Sequence, residues 1–308
     1  MISVRRKPFS GRINFSMGEK GMNSFPFKNL QVRFITAGEG EPFLFLHNGS
    51  NDHRIWDHQI AHFSPRYRVY ALDLPGYGQS DGGDIDYSLP YYGEMLREFF
   101  RQEQIGRAII AGNCVGSALA LHHAMHHPET VRALALFNIL TPATLRAGEF
   151  RLLLRLTEKS RTAARLLKAL AGRIRTPRWS RGPFFRMQYG RGNGPEKDFL
   201  EELHRCYDKP GHLRALYCLV ASMKGFAPLD DFLPPDGFPP LCVLWGRDNR
   251  ILPSAAGQDL CRNLNPRKTL ILEGAGHLCM RERAGEVNAF LDAFLQEISG
   301  KKIKGARK

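Results

Sequence analysis

Six short apolar runs, each followed by helical patterning, recur along this chain and restrict what it can fold into: Pro42–Leu46, Tyr67–Leu72, Arg107–Ala111, Ala133–Phe137, Leu241–Trp245 and Thr269–Leu272. Runs of this length read as strands buried on both faces, and their alternation with helices predicts a mostly parallel, doubly wound α/β sheet. Catalytic loops in such sheets lie at the C-terminal ends of the strands. With 308 residues and 43% hydrophobic content the chain can bury a sizeable core.

The rhythm breaks once, between Phe137 and Leu241, where residues 141–236 read as a largely helical insertion. Residues 151–191 carry 12 Lys+Arg against a single acid, Glu158, in a chain whose net charge is +14. Arg151–Leu156 through Leu166–Leu170 reads as a basic amphipathic helix. The expected organisation is a basic, mobile segment at 1–25, a core formed by 26–140 and 237–298, a helical basic cap at 141–236, and a basic tail at 299–308.

No apolar stretch reaches the roughly 18 residues that a spanning helix requires. The basic N-terminus lacks the apolar segment of a signal peptide, so a cytoplasmic location is expected. The six cysteines show neither paired C-x-x-C nor zinc-like spacing, which suits a reducing compartment. His122, His123, His126 and His127 cluster on one helical stretch with no carboxylate or thiolate beside them, and read as a solvated helix end rather than a metal site. No metal or cofactor is expected. No nucleic-acid partner is expected, because no recognition motif accompanies the positive charge.

Gly112-Asn113-Cys114-Val115-Gly116 lies between the run at 107–111 and a helical pattern starting at Ser117. A strand that reverses sharply into a helix forces its central residue into a strained positive-φ conformation, so the flanking glycines supply room. Cysteine at that corner faces the positive end of a helix and unpaired backbone N–H groups, which predicts a lowered thiol pKa. A buried, inert cysteine is the competing reading.

In addition to this elbow, the chain contains Leu46-His47-Asn48-Gly49, Asp73-Leu74-Pro75-Gly76-Tyr77-Gly78-Gln79-Ser80-Asp81, Trp245-Gly246-Arg247-Asp248-Asn249 before Pro253, and Gly274-Ala275-Gly276-His277. In this order the motifs resemble the α/β-hydrolase superfamily over roughly residues 30–297, in the capped branch of dehalogenases, epoxide hydrolases and carbon–carbon bond hydrolases. The resemblance implies an α/β-hydrolase fold with a helical cap. It implies Cys114 as nucleophile, His277 as base, and the N–H groups of Gly49 and Val115 as an oxyanion hole. The acid position departs from the pattern: the family spacing falls on Asn249, with Asp248 next to it, and a second family location is also an amide, Asn138. Either Asp248 swings in or an asparagine orients the imidazole, as papain-like enzymes do with a Cys–His pair.

The dehalogenases and epoxide hydrolases of that branch use an aspartate nucleophile, whose alkyl ester water can open. A cysteine thioether would be a dead end, so alkyl halides and epoxides are disfavoured. Cysteine attack on an acyl carbon gives a resolvable thioester, which makes acyl transfer or hydrolysis of an ester or thioester the leading expectation. The cysteine users that resemble this chain at the elbow include dienelactone hydrolases and polyhydroxyalkanoate synthases. The basic insertion would suit an acyl group carried by coenzyme A or an acidic carrier protein, or peripheral contact with a membrane. The alternatives are a non-catalytic binding protein on this fold and a membrane-docking lipid esterase. Trp56, Trp179, Phe184, Phe185 and Tyr189 read equally as pocket wall or core.

Overall fold

The structure, a computed structural model, describes residues 21–300 apart from 160, 161, 163–165, 167, 168 and 172. The expectations placed on residues 1–20, on 301–308 and on part of the 151–170 helix lie outside the described residues. The strands are β1 (Met22–Phe27), β2 (Leu30–Ala37), β3 (Pro42–Leu46), β4 (Arg68–Leu72), β5 (Ala108–Asn113), β6 (Val131–Phe137), β7 (Leu241–Gly246) and β8 (Lys268–Leu272). They form an 8-stranded sheet in the order β1-β2-β4-β3-β5-β6-β7-β8. β1 and β2 run antiparallel and β2 pairs antiparallel with β4, while β4, β3, β5, β6, β7 and β8 are mutually parallel. This is the α/β-hydrolase arrangement.

The mobile N-terminal segment expected to run to residue 25 is corrected here, because β1 begins at Met22 and buries Phe25 and Phe27. Asn23, Ser24 and Pro26 are exposed on this edge strand, a position at which a proline is tolerated.

Every residue of β5 and β7 is buried, as befits strands with helices on both faces. The pleat sends neighbours to opposite sides: Leu44 and Leu46 join a core with Phe99 and Leu119, whereas Phe43 and Phe45 join one with Trp56, Phe63 and Phe294. The helices α1 (Asp57–Phe63), α2 (Leu89–Gln102) and α3 (Val115–His126) precede the insertion. The insertion carries α4 (Pro142–Arg146), α5 (Arg151–Lys159), α6 (Gly182–Met187), α7 (Lys197–Asp208) and α8 (His212–Ala221). It leaves no gap in the sheet, since β6 and β7 pair directly with Leu134 opposite Leu241. After β7 come α9 (Ser254–Leu264), α10 (Cys279–Glu282) and α11 (Ala284–Ile298).

The histidine cluster is less solvated than expected. His123 is buried on α3, with its ring against Phe100 at 4.8 Å and a hydrogen bond to Thr130 at 3.0 Å. Among the described residues no helix is long and apolar enough to cross a membrane. All six cysteines are free thiols.

Candidate active site

β5 ends at Asn113, and Cys114 turns the chain into α3 at φ 56° and ψ −113°. This is the strained corner read from the pentapeptide. Its glycines are needed for close approach: a Cβ on Gly116 would run into the Leu46 carbonyl, and one on Gly112 into the Gly116 backbone. The Cys114 N–H donates to Phe137 O at 3.0 Å, which pins the corner to the end of β6.

The loop after β3 is braced by two buried side chains. His47 donates from Nδ1 to Asn48 O at 2.7 Å and accepts at Nε2 from the Leu74 N–H at 2.8 Å. Asp73 accepts from the His53 N–H at 2.9 Å, from His53 Nδ1 at 2.8 Å and from the Gln79 N–H at 2.8 Å. Burial opposes a charge on His53, but Asp73 outweighs it and raises the imidazole to about 9. Thus braced, the Gly49 N–H points at the Cys114 sulfur, as does the Val115 N–H at the start of α3.

The lowered thiol pKa predicted from the helix end is overturned. Burial pushes Cys114 up to about 12, and the two N–H donors only partly offset it. Helix-end stabilisation of an anion is worth about 1 kcal/mol, less than the cost of desolvating a buried thiolate.

His277 follows β8 on the Gly-Ala-Gly loop and is buried, which pushes its imidazole down to about 3. Its carbonyl accepts from Asn113 Nδ2 at 3.2 Å and Asn138 Nδ2 at 3.1 Å. Its Nδ1 meets Asn249 Nδ2 at 3.1 Å. Of the two residues left open at the acid position, Asn249 is therefore the partner of the imidazole. Asp248 is not, because its carboxylate turns away and accepts from the Arg191 N–H at 3.1 Å. The asparagine presents its NH2 to the ring. Asn138, at φ 43°, grips the histidine backbone rather than its ring.

Cys114 and His277 share a pocket with about 490 Å³ of empty space, counting the part open to solvent. Its wall includes Leu140, Leu145, Phe150, Phe184, Leu219 and Met223, with the polar residues Ser50 and Gln188. Of the aromatics left open between wall and core, Phe184 is wall, Trp56 is core against Phe45 and Phe137, and Trp179 is 86% exposed. Gln188, Asp73 and Glu282 were missed as site-shaping residues. Only Asp73 lay in a motif that could have flagged it.

Asp52, His53 and Asp73 bring ligand atoms within 4.8 Å of one another. Their donors are already committed, with Asp52 paired to Arg54 and His53 to Asp73, so the set suits structural bracing better than metal binding.

A residue at a strained strand-to-helix corner, lining one pocket with a histidine at the C-terminal edge of a parallel sheet, is the arrangement of the class of nucleophile-elbow hydrolases. The chain belongs to the alpha/beta hydrolase family, whose model matches residues 43–290. It is 30% identical over 121 residues to (E)-2-((N-methylformamido)methylene)succinate hydrolase of Acinetobacter baylyi, covering 39% of this chain and 46% of that protein. It is 31% identical over 113 residues to a haloalkane dehalogenase of Agrobacterium fabrum, covering 37% of each. The matches thus span less than half of either relative. Among solved structures, a membrane phospholipase A superposes with a TM-score of 0.75 at 23% identity, covering 91% of this chain and 86% of that one. A thermophilic esterase from Thermogutta terrifontis gives 0.70 at 19%, covering 90% and 98%. At these identities the likeness concerns the fold.

Proposed function

We propose that this protein hydrolyses or transfers the acyl group of an ester or thioester with an apolar acyl chain, through an acyl-enzyme on Cys114. The observation that carries the reading is a thiol on the floor of an apolar pocket with the Gly49 and Val115 N–H groups aimed at its sulfur. Attack of the sulfur on an acyl carbon, with loss of the thiol proton, would place the developing oxyanion near those donors. The bond to the leaving alkoxide or thiolate then breaks, the leaving group takes up a proton, and water or another acceptor opens the thioester and frees the sulfur. The hydrolase names of the relatives support the reaction class at this general level. A cysteine in place of the dehalogenases' aspartate argues against dehalogenation, since a thioether offers water no acyl carbon.

The exposed Arg151, Arg155, Arg173 and Arg175 of the insertion support a substrate with an anionic carrier, such as coenzyme A or an acidic carrier protein. Exposed Leu152 and Trp179 among those arginines favour a second reading, an esterase that works on lipid at an anionic membrane surface.

The test is intact-protein mass spectrometry after brief exposure to acyl-coenzyme A and activated ester compounds, at neutral and mildly alkaline pH. One added acyl group mapping to Cys114, absent in Cys114→Ala, is the expected result. Full turnover by Cys114→Ala would end the reading.

A further inference from the structure

Four hydrogen bonds decide which end of the Asn249 amide faces the histidine. Its Oδ1 accepts from the backbone N–H groups of Ile251 at 3.1 Å and Leu252 at 3.0 Å. A backbone N–H can only donate, so the atom facing that pair is oxygen. Its Nδ2 donates to Asn138 Oδ1 at 2.9 Å, and that atom is in turn oxygen because the Gly246 N–H donates to it at 3.2 Å. The second N–H of Nδ2 points at His277 Nδ1, 3.1 Å away. Turning either amide over would set N–H against N–H in a site where both asparagines are buried.

We infer that Asn249 is a positioning residue that holds neutral His277 as the tautomer with its proton on Nε2, so that the resting imidazole presents an N–H, not a lone pair, to the pocket it shares with Cys114. Nδ1 must accept from Asn249, and a neutral ring carries one proton, which leaves Nε2 as its place. Burial keeps the ring neutral. A carboxylate at 249 would reverse this, taking the proton of Nδ1–H and freeing Nε2 to act as a base.

For the acyl chemistry proposed above, on which the following consequence rests, the thiol of the resting enzyme must lose its proton to hydroxide or water. The Nε2–H then donates a hydrogen bond to the thiolate or to the departing group. The other titratable groups around the pair are Tyr77 and Cys279, both held up by burial, and Glu282, whose carboxylate is engaged by the Gly190 and Gly276 N–H groups. None of them offers a base to the sulfur, so a pH profile reads Cys114 and His277.

The tautomer is measured without substrate, on the full chain labelled with 15N-histidine at pH 7, by two-bond 1H–15N correlation with His277→Ala to assign the signal. The pattern of a proton on Nε2 is expected, and a proton on Nδ1 overturns the inference. Alkylation of Cys114 by iodoacetamide, read by peptide mass, gives the second test. In the wild type its rate should climb with pH through the alkaline range with no plateau near neutrality. Asn249→Asp should introduce that plateau and react at least ~10²-fold faster at pH 7, the lower bound of a general-base contribution. Equal neutral rates, with the variant shown to be folded by its thermal transition, also overturn the inference. An Nε2–H signature with faster alkylation in Asn249→Asp, but with no acyl group ever reaching Cys114, upholds the tautomer lock and removes the acyl reading.

Discussion

The carboxylate of Glu282 accepts the Gly276 N–H at 2.7 Å, one residue before His277. Its other oxygen accepts from the Gly190 N–H at 2.8 Å and Asn193 Nδ2 at 3.0 Å, so one side chain ties the histidine loop to the insertion. Glu282→Ala leaves two backbone donors without their partner and should lower stability by about 1–3 kcal/mol. The loosened loop should reduce kcat more than it raises KM. Urea unfolding and steady-state kinetics check both, and an unchanged midpoint would refute the bridge.

Asp73 is fully buried and carries three hydrogen bonds, two of them from His53, whose imidazole it holds protonated. Asp73→Asn removes the charge that holds this imidazole protonated, and breaking one half of a buried pair costs on the order of 3–5 kcal/mol. The brace positions the Gly49 loop, so acylation of Cys114 should slow in parallel. Denaturant melts of the variant beside the wild type measure the loss. A change below 1 kcal/mol, roughly the worth of an exposed pair, would deny the brace its role.

Gly116→Ala should abolish the folded protein, because the new methyl would occupy the space of the Leu46 carbonyl on β3. Gly285→Ala, on α11 with open space around its Cβ, should be neutral or stabilise by up to about 1 kcal/mol through helix propensity. Soluble yield and thermal midpoints of the two variants test the contrast.

Stability should fall on both sides of neutrality, for opposite reasons. Burial pushes His277 and His212 down from 6.5 to about 3, so the unfolded chain binds protons that the folded one refuses. Their contribution is present above pH 6.5 and is lost as the pH drops toward 3. Burial pushes Cys114 and Cys279 up from 9.0 to about 12, so their contribution is present below pH 9.0 and is lost as the pH rises toward 12. The thermal midpoint should therefore fall steeply below pH 6.5 and above pH 9.0, with a gentler decline between them as His53, raised to about 9 by Asp73, gives up its proton. His212→Phe should flatten the acid limb, and an unaltered limb would locate the effect elsewhere.

If the insertion meets an anionic surface, vesicles containing phosphatidylserine should co-sediment the protein at low salt and release it as salt rises, whereas phosphatidylcholine vesicles should not. Leu152→Ser together with Trp179→Ser should weaken this binding without changing turnover of a soluble ester. Equal binding to both vesicle types would argue against an electrostatic surface contact.

The parallel core was legible because Pro42–Leu46, Ala133–Phe137 and Leu241–Trp245 are apolar at every turn of the pleat, a pattern that only a doubly covered strand produces. β1 escaped notice because Asn23, Ser24 and Pro26 interrupt its apolar residues, and an edge strand needs only Phe25 and Phe27 to find its place. Spacing alone put Asn249 at the acid position. Which way its amide turns depends on Gly246, Ile251, Leu252 and Asn138, and no linear motif records that arrangement. The thiol was misjudged for a related reason. The helix end acting on Cys114 is written in the pentapeptide, while the walls that dry it, such as Phe150 and Phe184, come from an insertion with no motif at all.

The chain leaves the sheet at Phe137 and re-enters it on the adjacent strand at Leu241. For the ladder of hydrogen bonds the whole insertion is a detour, whatever its length or content. The stretch of gene that sets most of the pocket wall is thereby separable from the stretches that set the elbow and Asn249, as long as Asn138, the first residue of the detour, is kept. Recombination at two points that lie side by side in space would give a descendant new walls, and with them a new diet, while the reacting atoms stayed where they are.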